Sequence, residues 1–335
     1  MQKSFTYKKA GVDIKKAEQS LSRLKSKIAE TNTAEVLSGV GLFGGFYQFP
    51  ASNFLEPVLV SSTDGVGTKL KIAFLAGVHN SIGQDLVNHC INDISVSGAR
   101  PLFFLDYFAC GKLEKGIYES VVEGIAVACK NAGIPLIGGE TAEMPDFYSE
   151  KEYDLSGTVV GVVEKSKIID GRKIREGDLL VGVASNGLHT NGFTLARKVL
   201  LRNYQAEDFI EEFGCTLCEE LLKIHKNYHP LISKIIEKFE INGIAHITGG
   251  GLVKNTSRLL RENLTLHIDW KSWPVPPIFK LIERIGKVPG ADMRQTFNLG
   301  IGLVLVVNPV HVANLLKWGR EHHYEFYQIG RVDRR

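Results

Sequence analysis

VLVSSTDGVGTKL, residues 58–70, is a β-branched run that stops at an acid, turns through glycines and ends on a lysine. The run predicts a strand, and Asp64, Gly65 and Gly67 predict its abrupt end. The segments downstream of it set the fold class. GQDLVNHCINDIS and GIYESVVEGIAVACKNAG carry apolar residues at helical spacing, whereas PLFFLDYFA, PLIGGE and LSGTVVGVV are short β-branched or aromatic runs. Upstream, residues 13–29 form an amphipathic helical stretch, followed by the Gly-rich run SGVGLFGGFYQFP. Around KSKIIDGRKIREGD the apolar pattern lapses into charges and turn residues, as a linker does. This predicts a first domain over residues 1–169 and a second over 170–335.

The second half restarts with DLLVGVAS and a helix over 191–201, then a charged helical region, EEFGCTLCEELLKIHKNYHPLISKIIEKF. GIAHITGGG, LVKNTSRLL, LTLHID, PPIFKLIERIG, IGLVLVVN, VANLLKWGREHH and EFYQIGRV continue it. Strands and helices are mixed, and several connections are too short for parallel crossovers. The expectation is an α+β fold of mixed α/β layers with partly antiparallel sheets.

Composition narrows the function class. The chain has 335 residues, 44% hydrophobic and 23% charged, enough for two domains with sizeable cores. Net charge is +3, and Lys and Arg are spread evenly without a basic block beside aromatic platforms, which argues against nucleic acid as a partner. No signal-like apolar core and no run near the roughly 18 residues of a membrane span is present, so a cytoplasmic protein without a membrane partner is expected. The five cysteines lack the spacing of a secreted disulfide framework. Only Cys215 and Cys218 form a CxxC, in a segment of helical spacing with no second Cys or His pair, which reads as helix packing rather than a metal site.

The opening stretch is not a Walker loop, which requires GxxxxGK followed by Ser or Thr; here Thr68 precedes Lys69. Asp64 at a strand end, two glycines and Lys69 make either a corner for metal and phosphate or an Asp-Gly turn with a solvated lysine. In the next helix Ile82, Leu86, Cys90 and Ile94 form an apolar stripe, while Asp85, His89 and Asn92, adjoined by Asp93, form a polar one. That stripe is a solvated face or a set of short side chains suited to a metal. Asp106 sits among large apolar residues in PLFFLDYFA, either buried with a task or outward on a half-exposed sheet. Gly138 and Gly139 deliver Glu140 at another strand end. Asp64, Asp93 and Glu140 are thus acids at or beside element ends in one domain, a number that suits Mg²⁺ completed by waters and phosphates. In the second half, Ser185, Gly187, His189 and Asn191 lie in one turn, and His246, Thr248 and Gly249 to Gly251 in another. Both turns are anion corners or packed structural turns, and each holds a histidine.

The segments YKKAGVDI, STDGVGTKL, IGQDLVNHCINDI, PLFFLDYFACGKL, LIGGETAEMPDFY, SNGLHTNGFTLAR, AHITGGGLVKN and TFNLGIG occur in the order found in aminoimidazole ribonucleotide synthetases, the phosphoribosylformylglycinamidine cyclo-ligases. The chain resembles that family over nearly its whole length. The resemblance implies ATP-dependent closure of an imidazole ring in purine biosynthesis, from formylglycinamidine ribonucleotide and ATP to aminoimidazole ribonucleotide, ADP and phosphate. It implies phosphorylation of the formyl oxygen followed by attack of a nitrogen on that carbon. It further implies a homodimer whose N-terminal sheets pair into a β-barrel, each subunit adding an α+β C-terminal domain. Carried onto this chain, it gives Asp64, Asp93 and Glu140 as Mg²⁺ ligands, with room for a monovalent cation. Lys25, Asp64, Gly65, Gly67, Thr68, Lys69, Asn92, Asp106 and Gly249, Gly250 and Gly251 become ATP-binding residues, Lys69 a phosphate contact, and His246, ahead of His189, a general base or phosphate ligand.

Two positions depart from the family pattern. KIHKNYHP puts Ile224, His225 and Lys226 where a PTR-type turn is expected, and Gln295 stands where an arginine usually precedes TFN, leaving Arg294 next door to substitute. Both changes bear on substrate contacts in the second domain. Among relatives of the same architecture, a selenophosphate synthetase would carry a reactive Cys near its start, and a hydrogenase-maturation dehydratase would end in Cys, whereas this chain ends GRVDRR. Thiamine monophosphate kinase lacks the TDGVGTK and AEMP wording. From another class, a catalytically silent nucleotide-binding scaffold is disfavoured by retention of the acids and of both Gly-rich turns.

Overall fold

The run that opens the sequence folds as strand β1 (Pro57–Gly65), and the alternation after it is realised element by element in the computed structural model, which describes residues 6–12, 14–39 and 41–335. Contacts divide the chain into two units, Met1–Ile91 with Pro101–Val162, and Asn92–Arg100 with Val163–Arg335.

In the first unit, α1 (Ile14–Ala29) covers the helix expected over 13–29, Asp13 lying outside the described residues. After β1 come a 3-10 turn (Gly67–Lys69), α2 (Leu70–Ala76), α3 (Asn80–Ser95), β2 (Arg100–Cys110), α4 (Lys115–Ala132), β3 (Leu136–Glu143) and β4 (Tyr153–Glu164). The sheet runs β1-β4-β2-β3. β2 and β3 are parallel, so they need the crossover that α4 supplies. α3 and α4 cross at glycines: a Cβ on Gly83 would stand 2.2 Å from the Val121 carbonyl oxygen, and one on Gly124 2.0 Å from that of Asn80. The apolar stripe of α3 is buried as its spacing predicts, with Ile82, Leu86 and Cys90 fully covered. Its polar stripe is buried too, for Asp85, His89 and Asn92 all lie inside the protein, which removes the solvated-face reading.

The second unit is built on β5 (Leu179–Ala184), α5 (Phe193–Leu200), β6 (Phe209–Ile210), β7 (Cys215–Thr216), α6 (Leu217–Leu221), α7 (His229–Lys238), β8 (Gly243–His246), α8 (Gly251–Ser257), β9 (Leu264–Ile268), α9 (Pro277–Gly286), α10 (Gly290–Thr296), β10 (Ile301–Val307), α11 (Pro309–Glu321) and β11 (Phe326–Arg334). Its sheet runs β8-β10-β5-β11-β9, antiparallel at every pairing. β10 is apolar at all positions but one glycine and is buried throughout, because both faces are covered. Leu303, Leu305 and Val307 pack with Leu231, Ile232 and Ile235 of α7 and Val312, Leu315 and Trp318 of α11. Ile301, Val304 and Val306 face the other way, onto Leu252 of α8 and Trp273.

The helical region expected through Cys215 and Cys218 is broken. Gly214 turns at φ 67°, Thr216 and Glu219 form a capping box that starts a short α6, and Pro230 restarts the chain as α7. No disulfide joins the cysteines. No helix among the described residues is long and apolar enough to cross a membrane.

Candidate active site

In the first unit, β1 delivers Asp64 to the mouth of the glycine turn. Asp64 Oδ1 accepts from the Gly65 N–H at 2.7 Å, and Oδ2 lies 3.0 Å from His89 Nε2. The carboxylate is held at its inner end by the Gly65 N–H yet stays 46% exposed, while His89 is buried. Gly67 has φ 69° with open space around it, so conformation rather than crowding demands glycine there. Gly67 and Thr68 are exposed. Lys69 is not: its Nζ sits 2.9 and 2.8 Å from the two oxygens of Asp85, with both side chains wholly buried. Burial pushes the Lys69 amine down, and the Asp85 charge opposes that. Lys69 therefore clamps the glycine turn to α3, a task neither sequence reading anticipates.

Asp106 and Glu140 come from neighbouring strands, Glu140 from within β3 rather than from the strand end that Gly138 and Gly139 suggest, because ladder pairing with β2 carries the strand on through Glu143. The parallel register sets Asp106 beside Gly139 and Tyr107 beside Glu140. A Cβ on Gly139 would stand 2.1 Å from Asp106 Oδ1, so this glycine makes room for the carboxylate. Burial raises Asp106 from 3.8 to about 7, and Glu140 is exposed. Lys25 is exposed on α1.

In the second unit, Asn92 is consumed by backbone: its amide donates to the Lys226 carbonyl at 2.8 Å, and its oxygen accepts from the Tyr228 N–H at 2.7 Å. Its neighbour Asp93 sits with Oδ1 2.7 Å from His246 Nδ1, the histidine buried and the acid 26% exposed. His246 Nε2 in turn lies 3.0 Å from His225 Nε2, and His225 Nδ1 is 3.3 Å from the Thr190 hydroxyl. His189, held at φ 62°, stacks on His225 with ring centroids 4.1 Å apart and planes 19° apart. Both ring nitrogens of His246 thus have partners inside the protein, while Asp93 keeps part of its side chain exposed.

The two Gly-rich turns are neighbours, since a Cβ on Gly249 would come within 3.3 Å of Asn191 Oδ1. Asn298 ties the first turn down by donating to the Gly187 carbonyl at 2.9 Å, and Ser185 bonds Asn298 at 3.1 Å. In the second, Gly250 caps α8 at φ 104°, and a Cβ on Gly251 would collide with the Arg294 carbonyl oxygen at 1.8 Å. The Arg294 guanidinium stacks over Trp270 at 4.6 Å, while Gln295 is exposed. Sequence reading missed His225, Thr190 and Asn298 as members of this cluster. For His225 the signal was present as a departure from the expected turn.

A family model described as AIR synthase related protein, N-terminal domain, matches residues 54–163, and its C-terminal counterpart matches 175–335. Phosphoribosylformylglycinamidine cyclo-ligase of Thermodesulfovibrio yellowstonii is 49% identical over 99% of this chain and 97% of its own length. The protein of the same name from Acetivibrio thermocellus is 48% identical over 98% and 96%. Among solved structures, thiamine-monophosphate kinase from Stenotrophomonas maltophilia superposes with a TM-score of 0.71 at 19% identity, over 95% of this chain and 94% of that one. The E. coli hydrogenase maturation protein HypE gives 0.70 at 18%, over 95% and 91%. At such identities these two structures show a shared fold alone.

Proposed function

This chain belongs to the AIR synthase related family, as a phosphoribosylformylglycinamidine cyclo-ligase, and on that premise we propose how its residues carry the ATP-dependent conversion of formylglycinamidine ribonucleotide to aminoimidazole ribonucleotide, ADP and phosphate. The observation that carries the reading is 49% identity to a cyclo-ligase along 99% of the chain.

Asp64, Asp93 and Glu140 are the carboxylates proposed for Mg²⁺. Their chemistry fits, because each side chain stays at least partly exposed and a few hard oxygens completed by water and phosphate are what this ion takes. When bound, the ion neutralises phosphate charge; a monovalent cation beside it is part of the same proposal. The exposed Gly67 and Thr68 offer backbone N–H groups to phosphate, with Lys69 acting behind them by holding the turn. Phosphoryl transfer needs positioning and charge stabilisation more than covalent help. It activates the formyl oxygen of the substrate as a phosphate ester. The amidine-side nitrogen then attacks the formyl carbon and forms the ring C–N bond, the C–O bond to phosphate breaks, and the nitrogen's proton passes to the departing phosphate or to water. Holding both reacting ends in one bound molecule supplies much of the advantage. Lys25, Asp106 and Gly249 to Gly251 complete the proposed ATP contacts.

We assign the ATP, metal and dimerisation roles to residues 1–169 and the substrate role to 170–335, with a cytoplasmic location. A homodimer through the first unit's sheet is supported by an apolar hollow of about 360 Å³ between Tyr47, Phe49, Pro57, Leu59, Leu102, Phe103 and Val160, with Leu59 64% exposed.

A coupled assay of ADP release tests the activity. ADP should form only when formylglycinamidine ribonucleotide is added, one per aminoimidazole ribonucleotide. ATP turnover indifferent to that substrate, or turnover with thiamine monophosphate instead, would overturn the reading.

A further inference from the structure

Asn255 lies on α8, and helical side chains lean back towards the helix start, which brings its amide beneath the glycine turn that precedes the helix. It is 3% exposed. Its Nδ2 donates to the carbonyls of Gly251 at 2.9 Å, Thr248 at 3.2 Å and Gly249 at 3.4 Å, so two hydrogens are shared among three acceptors. A carbonyl can only accept, so the amide nitrogen, not the oxygen, must face these three groups. The remaining atom, Oδ1, accepts from the Thr248 hydroxyl at 3.4 Å.

The consequence reaches the opposite edge of the turn. Every described peptide here is trans, and in a trans peptide the C=O and the following N–H point opposite ways. With the carbonyls of Thr248 and Gly249 drawn inward to Asn255, the N–H groups of Gly249 and Gly250 are turned outward. Among the described residues neither of these N–H groups donates to the protein, whereas the Gly251 N–H bonds the Thr248 carbonyl at 3.2 Å. Gly249 is exposed. Lys254, also exposed, runs back along Gly250, where a Cβ would meet its Cδ at 2.6 Å. Two outward N–H groups beside a lysine are the chemistry of a phosphate contact.

We propose that Asn255 is a positioning residue, which gathers the carbonyls of the turn on its buried side and thereby presents the Gly249 and Gly250 N–H groups to a phosphate oxygen. That the phosphate belongs to ATP or to the ribonucleotide substrate rests on the cyclo-ligase reading; the shape of the turn does not. The two sources share this chemistry and are told apart by which Michaelis constant responds. A leucine, close to asparagine in size, would fill the same space but leave three carbonyls without their donor, so their peptides could rotate and carry the N–H groups with them.

The experiment pairs proton–nitrogen NMR of the full-length protein, labelled at glycine, with steady-state ADP release. In wild type the Gly249 and Gly250 amide signals should shift on addition of ATP or of formylglycinamidine ribonucleotide, each added alone. Asn255→Leu should lose that shift and raise KM for the same ligand about tenfold, with KM for the other held within about twofold and kcat within about threefold. Asn255→Ser, which keeps one donor, should fall between. If the leucine variant does not fold, the serine variant carries the test, and a wild-type KM for both ligands then overturns the proposal. It is also overturned if neither wild-type amide responds to either ligand, if the leucine variant keeps both shift and KM, or if both KM values rise while kcat falls, as general damage to the fold would give. No ADP release from any form, wild type included, would instead count against the cyclo-ligase reading, while the ligand-induced amide shifts still decide the role of Asn255.

Discussion

Asp64 and Lys69, five positions apart in one short motif, have opposite surroundings. Asp64 is half exposed, with Oδ2 3.0 Å from His89 Nε2, so its loss should cost chemistry rather than folding. Asp64→Asn is expected to lower Mg²⁺-dependent ADP formation by about a hundredfold or more with an unchanged thermal transition, and unchanged turnover would remove it from the site. Lys69 is buried against Asp85, so Lys69→Met strands a charge and should cost about 3–5 kcal/mol in urea unfolding. Adding Asp85→Leu should recover much of that loss; a double variant as unstable as the sum of both singles would refute the clamp. Asp106 gives a pH test. Its folded pKa, about 7, lies above the ordinary 3.8, so the folded protein keeps a proton that the unfolded chain gives up. Stability therefore falls as pH rises from about 4 to about 7 and stays reduced above that. Asp106→Asn should raise the melting temperature of the nucleotide-free protein by several degrees near pH 8, with the gain shrinking towards pH 4.

At the scale of elements, glycines decide where helices can meet. Gly124 lets α4 approach α3 so closely that a side chain would meet the Asn80 carbonyl oxygen at 2.0 Å. Gly124→Val should lower the unfolding free energy by roughly 2 kcal/mol or more, since backbone cannot yield as a side-chain tip can. A melting point equal to wild type would refute that. α3 shows what periodicity can and cannot supply. Its apolar stripe was legible from spacing, because burial of a helix face needs only a repeat near 3.6 residues. Its polar stripe was ambiguous, because short polar residues on one face do not say whether water or protein lies against them. Contacts settled it: Asp85 meets Lys69, and Asn92 meets the backbone of Lys226 and Tyr228. The charged region around Cys215 misled for the complementary reason. Local capping by Thr216 and Glu219 and the proline of α7 broke a run that average helical propensity joins.

For the whole molecule, the exposed apolar surface of the first unit's sheet predicts self-association. Leu59→Glu should shift the mass measured by light scattering from dimer to monomer; a monomeric wild type would remove the homodimer proposal. The sequence by itself determined the alternation of strands and helices, the placement of Asp64 and Gly65 at the end of β1, and membership of the family, because these rest on local periodicity and ordered motifs. It could not decide which side chains meet across distant segments. Only the tertiary structure put Lys69 inside with Asp85, spent Asn92 on backbone, and set His225 between Thr190 and His246. Those outcomes depend on which polar groups lose water together, and burial forces each such group to find a partner that no local pattern specifies.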